Sequence, residues 1–391
     1  PAPMRWRILA SLVLGLSLSA PALSADNDDV DYIELASVLV QDGNYDRAEE
    51  ALLNVDLENE DTDVGKYYAV YGLVHLNRSE SELAKINFYR AIESGFVDET
   101  TGQTPDVIYI YLAQVHFALE EYADSIASIE RAGEAAARLS STWVMRAHAH
   151  WLLNQRDQTW VVLEQASERF PGNYNFTRRK VFYLIELGLY QEASELGQDY
   201  LNVSEGTAED YVAIGNAMRS AGQFDEALRF LEIGSLRFPE NLDLAKVLAH
   251  TYLGRGDTLA AAEIFYVASQ ADAKLVSEAA ELYRRAGKLY RALVLNTEIQ
   301  NPDIKLKQRL AILLELEEYA QITTMETALR RAGLLEQDED LKYALAYAYF
   351  KTNQFSEARR LMPFKRPDLF RKGVELIRVM EECGAESWRC S

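Results

Sequence analysis

The sequence has little cysteine and proline, and it is short of positive charge. Its 391 residues include 2 cysteines and 9 prolines, which excludes a disulfide-dense scaffold and a proline-rich linker. A short apolar run lies near the start, but no apolar run reaches the roughly 20 residues that a membrane-spanning helix needs. The formal charge is −21, from 40 Lys and Arg against 61 Asp and Glu. Such an acidic chain repels phosphate backbones, so nucleic acid is not an expected partner.

Motifs for catalysis and cofactor binding are also missing. The sequence has no HExxH zinc motif, Walker loop, GxGxxG loop or CxxC pair. His148 and His150 are two positions apart on a predicted helix and face different directions, which prevents joint chelation. His75, His116 and His150 fit packing positions of the predicted helices. We therefore expect no enzyme activity, no metal and no cofactor.

Residues 1–25 are typical of a secretory signal peptide. Arg5 and Arg7 precede the apolar run Ile8–Leu18, and small residues follow up to Ala25. The run is too short for a membrane anchor. Cleavage after Ala22 and cleavage after Ala25 both fit the pattern. The sequence predicts export to the periplasm of a Gram-negative cell.

The sequence is rich in a repeated pattern of amphipathic helices between Asp31 and Met362. Short polar turns with Gly, Asn or Asp separate the helices. Steps of 34 residues recur in the middle of the chain, from Ser125 to Thr159, Ala193, Ala227 and Ala261. Each repeat contains two helices, and one position of the second helix holds a small residue in all copies but one. The residues at this slot are Ala48, Ala84, Ser125, Thr159, Ala193, Ala227, Ala261, Ala292, Ile322 and Ala358.

This step and pattern resemble the tetratricopeptide repeat (TPR) family. One copy fills the consensus slots of that family with Trp143, Ala147, His150, Leu163, Ala166 and Pro171, and another with Tyr211, Gly215, Met218, Ala227, Leu231 and Pro239. The resemblance implies an all-α, right-handed superhelical solenoid of about ten helical hairpins in residues 26–366. Residues 367–391 then form a C-terminal capping helix and a tail. The units around Ala292 and Ile322 are short and carry Asn296 and Glu326 in apolar slots, which predicts a kink there.

The inner faces of first helices line the concave surface in this family. The resemblance therefore implies an aromatic and basic groove for an extended peptide, formed by Phe117, His148, Trp151, Arg178, Phe182, Arg219, Lys246 and His250. Tyr343, Tyr347 and Phe350 predict a second aromatic stripe near the C-terminal end. An alternative that the pattern leaves open is that some of these aromatic side chains pack between adjacent repeats.

The two ends of the predicted solenoid differ in charge. Residues from Asp26 to Asp63 include 14 acidic side chains and one basic residue, Arg47, whereas the segment from Arg359 to Arg378 holds seven basic residues and two acidic ones. Ends of opposite charge predict either docking of different partners or head-to-tail stacking of copies. The alternative is that these charges serve solubility alone.

The segment Ala280–Ala358 and the ending Cys383…Trp388-Arg389-Cys390 resemble periplasmic TPR proteins associated with TonB–ExbB–ExbD systems. The resemblance implies a non-enzymatic scaffold that binds protein partners of an energy-transduction complex. The competing interpretation is an accessory protein for envelope polysaccharide or peptidoglycan synthesis that holds enzymes and contacts glycan. Aromatic side chains suit both a peptide and a sugar ring, so the sequence does not separate the two.

We predict that Cys383 and Cys390 are bonded to each other in the exported protein, because an oxidising compartment and a short separation favour local closure. The loop-entropy model gives about 2.5 kcal/mol for so small a loop, enough to fix one end of the chain. Peptide mass mapping without reduction tests the bond. Two free thiols in periplasmic material would contradict both the bond and the predicted location.

Overall fold

The computed structural model describes residues 30–98, 101 and 103–385, with side chains up to residue 382. The predicted signal peptide lies outside these residues, and the predicted Cys383–Cys390 bond lies outside the described side chains. Every regular element within them is helical. The chain divides into two compact units between Lys180 and Val181, and each unit is described by itself.

The first unit contains nine α-helices in its described part. They are α1 (Tyr32–Gln41), α2 (Tyr45–Leu52), α3 (Val64–Asn77), α4 (Ser81–Glu93), α5 (Asp106–Ala118), α6 (Tyr122–Arg131), α7 (Gly133–Ala137), α8 (Ser140–Leu152) and α9 (Arg156–Arg169). The next helix, α10 (Asn175–Glu186), includes the point of division.

The helices of the second unit continue the alternation of first and second helices. They are α11 (Tyr190–Val203), α12 (Ala208–Ser220), α13 (Phe224–Arg237), α14 (Leu242–Arg255), α15 (Thr258–Ser269), α16 (Val276–Arg285), α17 (Leu289–Asn296), α18 (Pro302–Glu315), α19 (Tyr319–Thr324), α20 (Glu326–Arg331), α21 (Leu334–Gln337), α22 (Glu339–Lys351), α23 (Phe355–Arg360) and α24 (Pro367–Ala385). A single turn of 3₁₀ helix, Ala273–Leu275, precedes α16.

Ten helix pairs in the described part of the chain meet at corners of one geometry. Each corner has a residue with a left-handed φ between 58° and 98°. The backbone N–H of the next residue donates to a carbonyl five positions earlier, as from Gln223 to Met218 at 2.9 Å. This bond satisfies a carbonyl that the helix end leaves free. The ten corner residues are Gly43, Ser79, Glu120, Asn154, Gly188, Gly222, Gly256, Gly287, Glu317 and Asn353.

The two helices of each hairpin pack closely at small residues. All ten predicted slot residues lie five positions after a corner residue, and all are 0% exposed. Seven positions before the corner, the first helix carries Gly72 or Gly215 in two hairpins. A Cβ added to Gly72 would lie 2.6 Å from the ring of Phe88, and one added to Gly215 would lie 2.5 Å from Leu231. The predicted all-α class and TPR-like helical hairpins are confirmed.

The two units predicted to be irregular have shortened or broken second helices. The helix α17 ends at Asn296, whose fully buried side chain donates to the carbonyl of Lys305 at 3.0 Å. In the following hairpin the second helix breaks at Met325, between α19 and α20. The two polar residues thus lie at helix termini: Asn296 is the last residue of α17 and Glu326 is the first residue of α20. A kink of the superhelix stays a prediction.

The buried carboxylate of Glu326 connects the last hairpins of the second unit. It accepts hydrogen bonds from Arg330 at 2.7 Å and Arg360 at 2.8 Å, and from the hydroxyl of Tyr349. These donors lower the pKa of Glu326 although burial alone would raise it. Loss of one partner would leave a buried charge without compensation, which is costly. The carboxylate therefore depends on its three donors.

The last described helix, α24, covers the final hairpin. Leu369, Leu376 and Met380 are buried in one apolar cluster with Leu345 of α22. Gly373 allows this contact, since a Cβ there would lie 2.9 Å from the ring of Phe364. The arrangement agrees with a helix that closes the end of a repeat array.

The corner geometry predicts opposite effects for two substitutions in the second unit. Gly222 has φ 78° and no other side chain within 4 Å of the place that a Cβ would take, so Gly222→Ala should cost about 1 kcal/mol of unfolding free energy through the backbone alone. Glu317 has φ 58° and an exposed side chain, so Glu317→Gly should gain about 0.5 kcal/mol. Urea unfolding of both variants measures this. If both substitutions changed the unfolding free energy in the same direction, the shared corner geometry would be contradicted.

Candidate functional site

The eight predicted groove residues occupy three recurring positions of the first helices. These positions lie ten, six and three residues before the corner residue, a spacing of i, i+4 and i+7 that places them on one helix face. Arg178 and Lys246 lie in the first position, His148, Phe182 and His250 in the second, and Phe117, Trp151 and Arg219 in the third. His250 is exposed and the other seven are half-buried.

Four of the eight residues belong to the first unit, and we call them the first-unit surface: Phe117, His148, Trp151 and Arg178. The Phe117 ring lies 5.8 Å from the imidazole of His148, between α5 and α8. The guanidinium carbon of Arg156 lies over the Trp151 ring, 4.8 Å from the ring centroid. Phe117 and His148 therefore pack between adjacent hairpins, as the alternative interpretation proposed. Part of each side chain still faces solvent.

His148 is held in its neutral form at physiological pH. Burial and the positive charge of Arg179 lower its pKa from 6.5 to about 4. A neutral imidazole beside a phenyl ring makes this part of the surface mainly apolar. Arg178 and Arg179 bring positive charge on the next first helix, α10.

The other four residues, Phe182, Arg219, Lys246 and His250, form the second-unit surface, which is mostly basic. Arg219 donates to Asn216 at 3.2 Å, while its buried Nε atom has no hydrogen-bond partner within the described residues. Partial burial and the charge of Arg219 lower the pKa of His250, and Glu278 opposes that effect. The His250 ring meets Phe265 edge to face at 5.5 Å. The surface thus presents cations beside a neutral ring.

The aromatic stripe of Tyr343, Tyr347 and Phe350 lies on the same face of α22, ten, six and three positions before Asn353. Its ring centroids are 6.4 and 6.2 Å apart. The structure adds lysines that the sequence pattern did not reveal. Lys372 lies over Tyr343 at 5.7 Å, and Lys351 lies over the neighbouring ring of Tyr319 at 5.5 Å. Lys372 comes from α24, so no local spacing could have indicated its contact.

The structure buries the three histidines that were expected in packing positions. His75, His116 and His150 are 6%, 4% and 8% exposed. Each Nδ1 atom is paired with the residue that follows its corner, at 2.5 Å for Glu80, 2.5 Å for Glu121 and 2.7 Å for Gln155. This repeated pairing joins the two helices of a hairpin.

One cluster in the described residues has the composition of a metal site: His116, Glu121 and Asp124, with ligand atoms within 4.8 Å of one another. Both nitrogens of His116 are already engaged, by Glu121 and by the Tyr89 hydroxyl at 2.9 Å. The ammonium of Lys85 lies 2.8 Å from Glu121 and lowers its pKa. The cluster is therefore a hydrogen-bonded contact between hairpins.

Comparisons with known proteins assign the chain to no family. No family model matches it, and no curated protein matches it. None of the helices in its described part is long and apolar enough to cross a membrane.

Solved TPR structures align with the chain. A tetratricopeptide repeat protein from Parabacteroides merdae has 12% identity and a TM-score of 0.42, with 64% of this chain and 100% of that chain covered. Pseudomonas aeruginosa PilF has 14% identity and a TM-score of 0.41, covering 56% and 96%. YrrB, a TPR protein with an unusual peptide-binding site, has 18% identity and a TM-score of 0.37, covering 51% and 97%. The fold assignment rests on the hairpin geometry of this chain itself.

The environment of His148 predicts a pH-dependent stability. Between pH 6.5 and about 4 the unfolded chain binds a proton at this residue that the folded chain does not bind, so unfolding free energy falls as pH falls through that range. His148→Phe, which copies the residue at the equivalent position in α10, should remove this contribution. Urea unfolding at pH 7 and pH 5 compares the two proteins. An NMR titration of His148 near pH 6.5 would contradict the prediction.

Proposed function

We propose that the protein is a non-enzymatic periplasmic scaffold whose first-unit surface and second-unit surface each bind an extended segment of a partner protein. One observation carries the proposal: eight aromatic and basic side chains share three helix positions and keep part of their surface open to solvent. Residues with a packing role alone would be buried, as the three corner histidines are. A repeat array commonly uses such a face for binding.

The chemistry of the two surfaces indicates the kind of segment that would bind. Phe117 and Trp151 supply large, partly exposed rings that can anchor apolar side chains. Arg219 and Lys246 supply positive charge, and these half-buried side chains can attract a carboxylate. We therefore favour apolar side chains in a segment bound at the first-unit surface and acidic side chains in one bound at the second-unit surface. Charge complementarity would speed its association.

For the cellular role we favour a complex with TonB, ExbB and ExbD components. The support is the similarity of Ala280–Ala358 and of the Cys383…Cys390 ending to periplasmic TPR proteins of those systems. The second candidate is an accessory of polysaccharide or peptidoglycan synthesis, favoured by the stacked rings of Tyr343 and Tyr347, which could also hold a sugar. Both candidates use the same positions of the first helices, ten, six and three residues before the corner.

Affinity purification from the native envelope, followed by mass spectrometry, tests the role. Recovery of TonB-type components supports the first candidate, and recovery of synthases with glycan supports the second. Trp151→Ala and Phe182→Ala should each cost about 2 kcal/mol of binding to the recovered partner, with little change in melting temperature.

Leu236→Ala is the matched control, because Leu236 is 84% exposed and lies outside both surfaces. It should bind as the unmodified protein does. If instead the Trp151 and Phe182 variants melt early, with the loss of about 3 to 5 kcal/mol that core truncations cause, these residues are packing residues and the proposed binding surfaces are wrong.

A further inference from the structure

The first helix has an exposed apolar stripe on its outer face. Tyr32, Leu35 and Val38 are spaced by three residues along α1 and are 38%, 41% and 47% exposed. Terminal repeats of solenoids usually need a polar outer face to remain soluble. Contiguous exposed apolar side chains mark an interaction site when no part of the protein covers them.

The position of this stripe shows what kind of contact it fits. The three residues lie 11, 8 and 5 positions before the corner residue Gly43. The same positions in α12 hold Tyr211, Ile214 and Ala217, which are 2%, 0% and 1% exposed. In later hairpins this face packs within the array. On α1 the equivalent face is open in the described structure.

The outer face of α24 has matching properties. Phe370 and Val374 lie one turn apart and are 49% and 51% exposed. Arg371 and Lys372 are exposed beside them, and neither has a carboxylate partner among the described residues. Of the seven basic residues between Arg359 and Arg378, all of them exposed, Arg359, Arg360, Arg366 and Arg378 are paired with carboxylates of the same chain. The apolar pair therefore lies beside the positive charges of Arg371 and Lys372.

The α1 end carries an excess of negative charge. Asp31 and Asp42 flank the stripe and are exposed, and Asp56, Glu58, Glu60 and Asp61 are exposed in the loop after α2. Two α1 ends would repel each other, whereas an α1 end and the positive charges of Arg371 and Lys372 on α24 are complementary. Charge thus favours a contact between the two different faces over a pairing of two α1 faces.

We propose that the outer face of α1 binds the outer face of α24 in a second copy of this chain, so that copies associate head to tail. The contact is heterologous, because it joins two different surfaces. Tyr32, Leu35 and Val38 meet Phe370 and Val374, and the acidic and basic side chains form the rim. The contact uses neither the first-unit nor the second-unit surface, so it does not depend on the proposed partner binding.

Sedimentation velocity of the purified full chain over a range of concentrations tests the proposal. The unmodified protein should form species larger than a monomer as concentration rises, and high salt should weaken them because the rim is charged. Leu35→Asp and Val374→Asp should each abolish this association. An equimolar mixture of the two variants should form a dimer and nothing larger, since each variant still offers one intact face.

Leu236→Asp is the control, since it adds the same charge at a more exposed apolar side chain away from both ends. It should associate as the unmodified protein does, and circular dichroism should show all three variants folded. A monomer at every concentration would overturn the proposal. Association that survives in either variant, or a mixture that forms no dimer, would overturn it as well.

Discussion

The close approach of two helices at small side chains is the constraint on which the rest of this structure depends. In every hairpin of the described chain a slot five residues after the corner is fully buried, and nine of these ten slots hold Ala, Ser or Thr. Larger residues such as Phe88 and Leu231 then fill the space opposite glycines on the first helix. Because this contact fixes how the first helix is rotated, it also decides which of its side chains face outwards. The candidate binding face is therefore a consequence of the packing.

The same logic explains how much of the molecule could be predicted. The small-residue slot and the 34-residue step are patterns within short stretches of sequence. The hairpins and the positions of the ten slots can therefore be predicted from the sequence. The face of the first helices that carries the eight candidate residues follows too, since i, i+4 and i+7 positions are fixed once the slot is known. The ring contact between Phe117 and His148 did not follow, because it depends on the separation of two hairpins. Lys372 above Tyr343 is a contact between distant segments.

Polar residues inside the array show a second limit of pattern analysis. Asn296 and Glu326 stand out as irregular in the sequence, but their partners do not, since Arg360 is 34 residues away from Glu326. The buried carboxylate with its three donors replaces an apolar contact by a set of directional bonds. Such bonds tolerate fewer arrangements than apolar packing does, so they fix how neighbouring hairpins sit. The position of a polar residue can be predicted from sequence; its geometry requires the neighbouring repeat.

The short reach of the contacts has a consequence for how the chain acquires its structure. The side-chain hydrogen bond between Lys85 and Glu121, which joins neighbouring hairpins, spans only 36 residues. Contacts of this range need little loop-closure entropy, so a hairpin can form soon after its own sequence and that of one neighbour are available. A polypeptide that emerges from one end can then add repeats in order. The apolar outer face of α1 would be exposed first and would stay uncovered while the later repeats assemble.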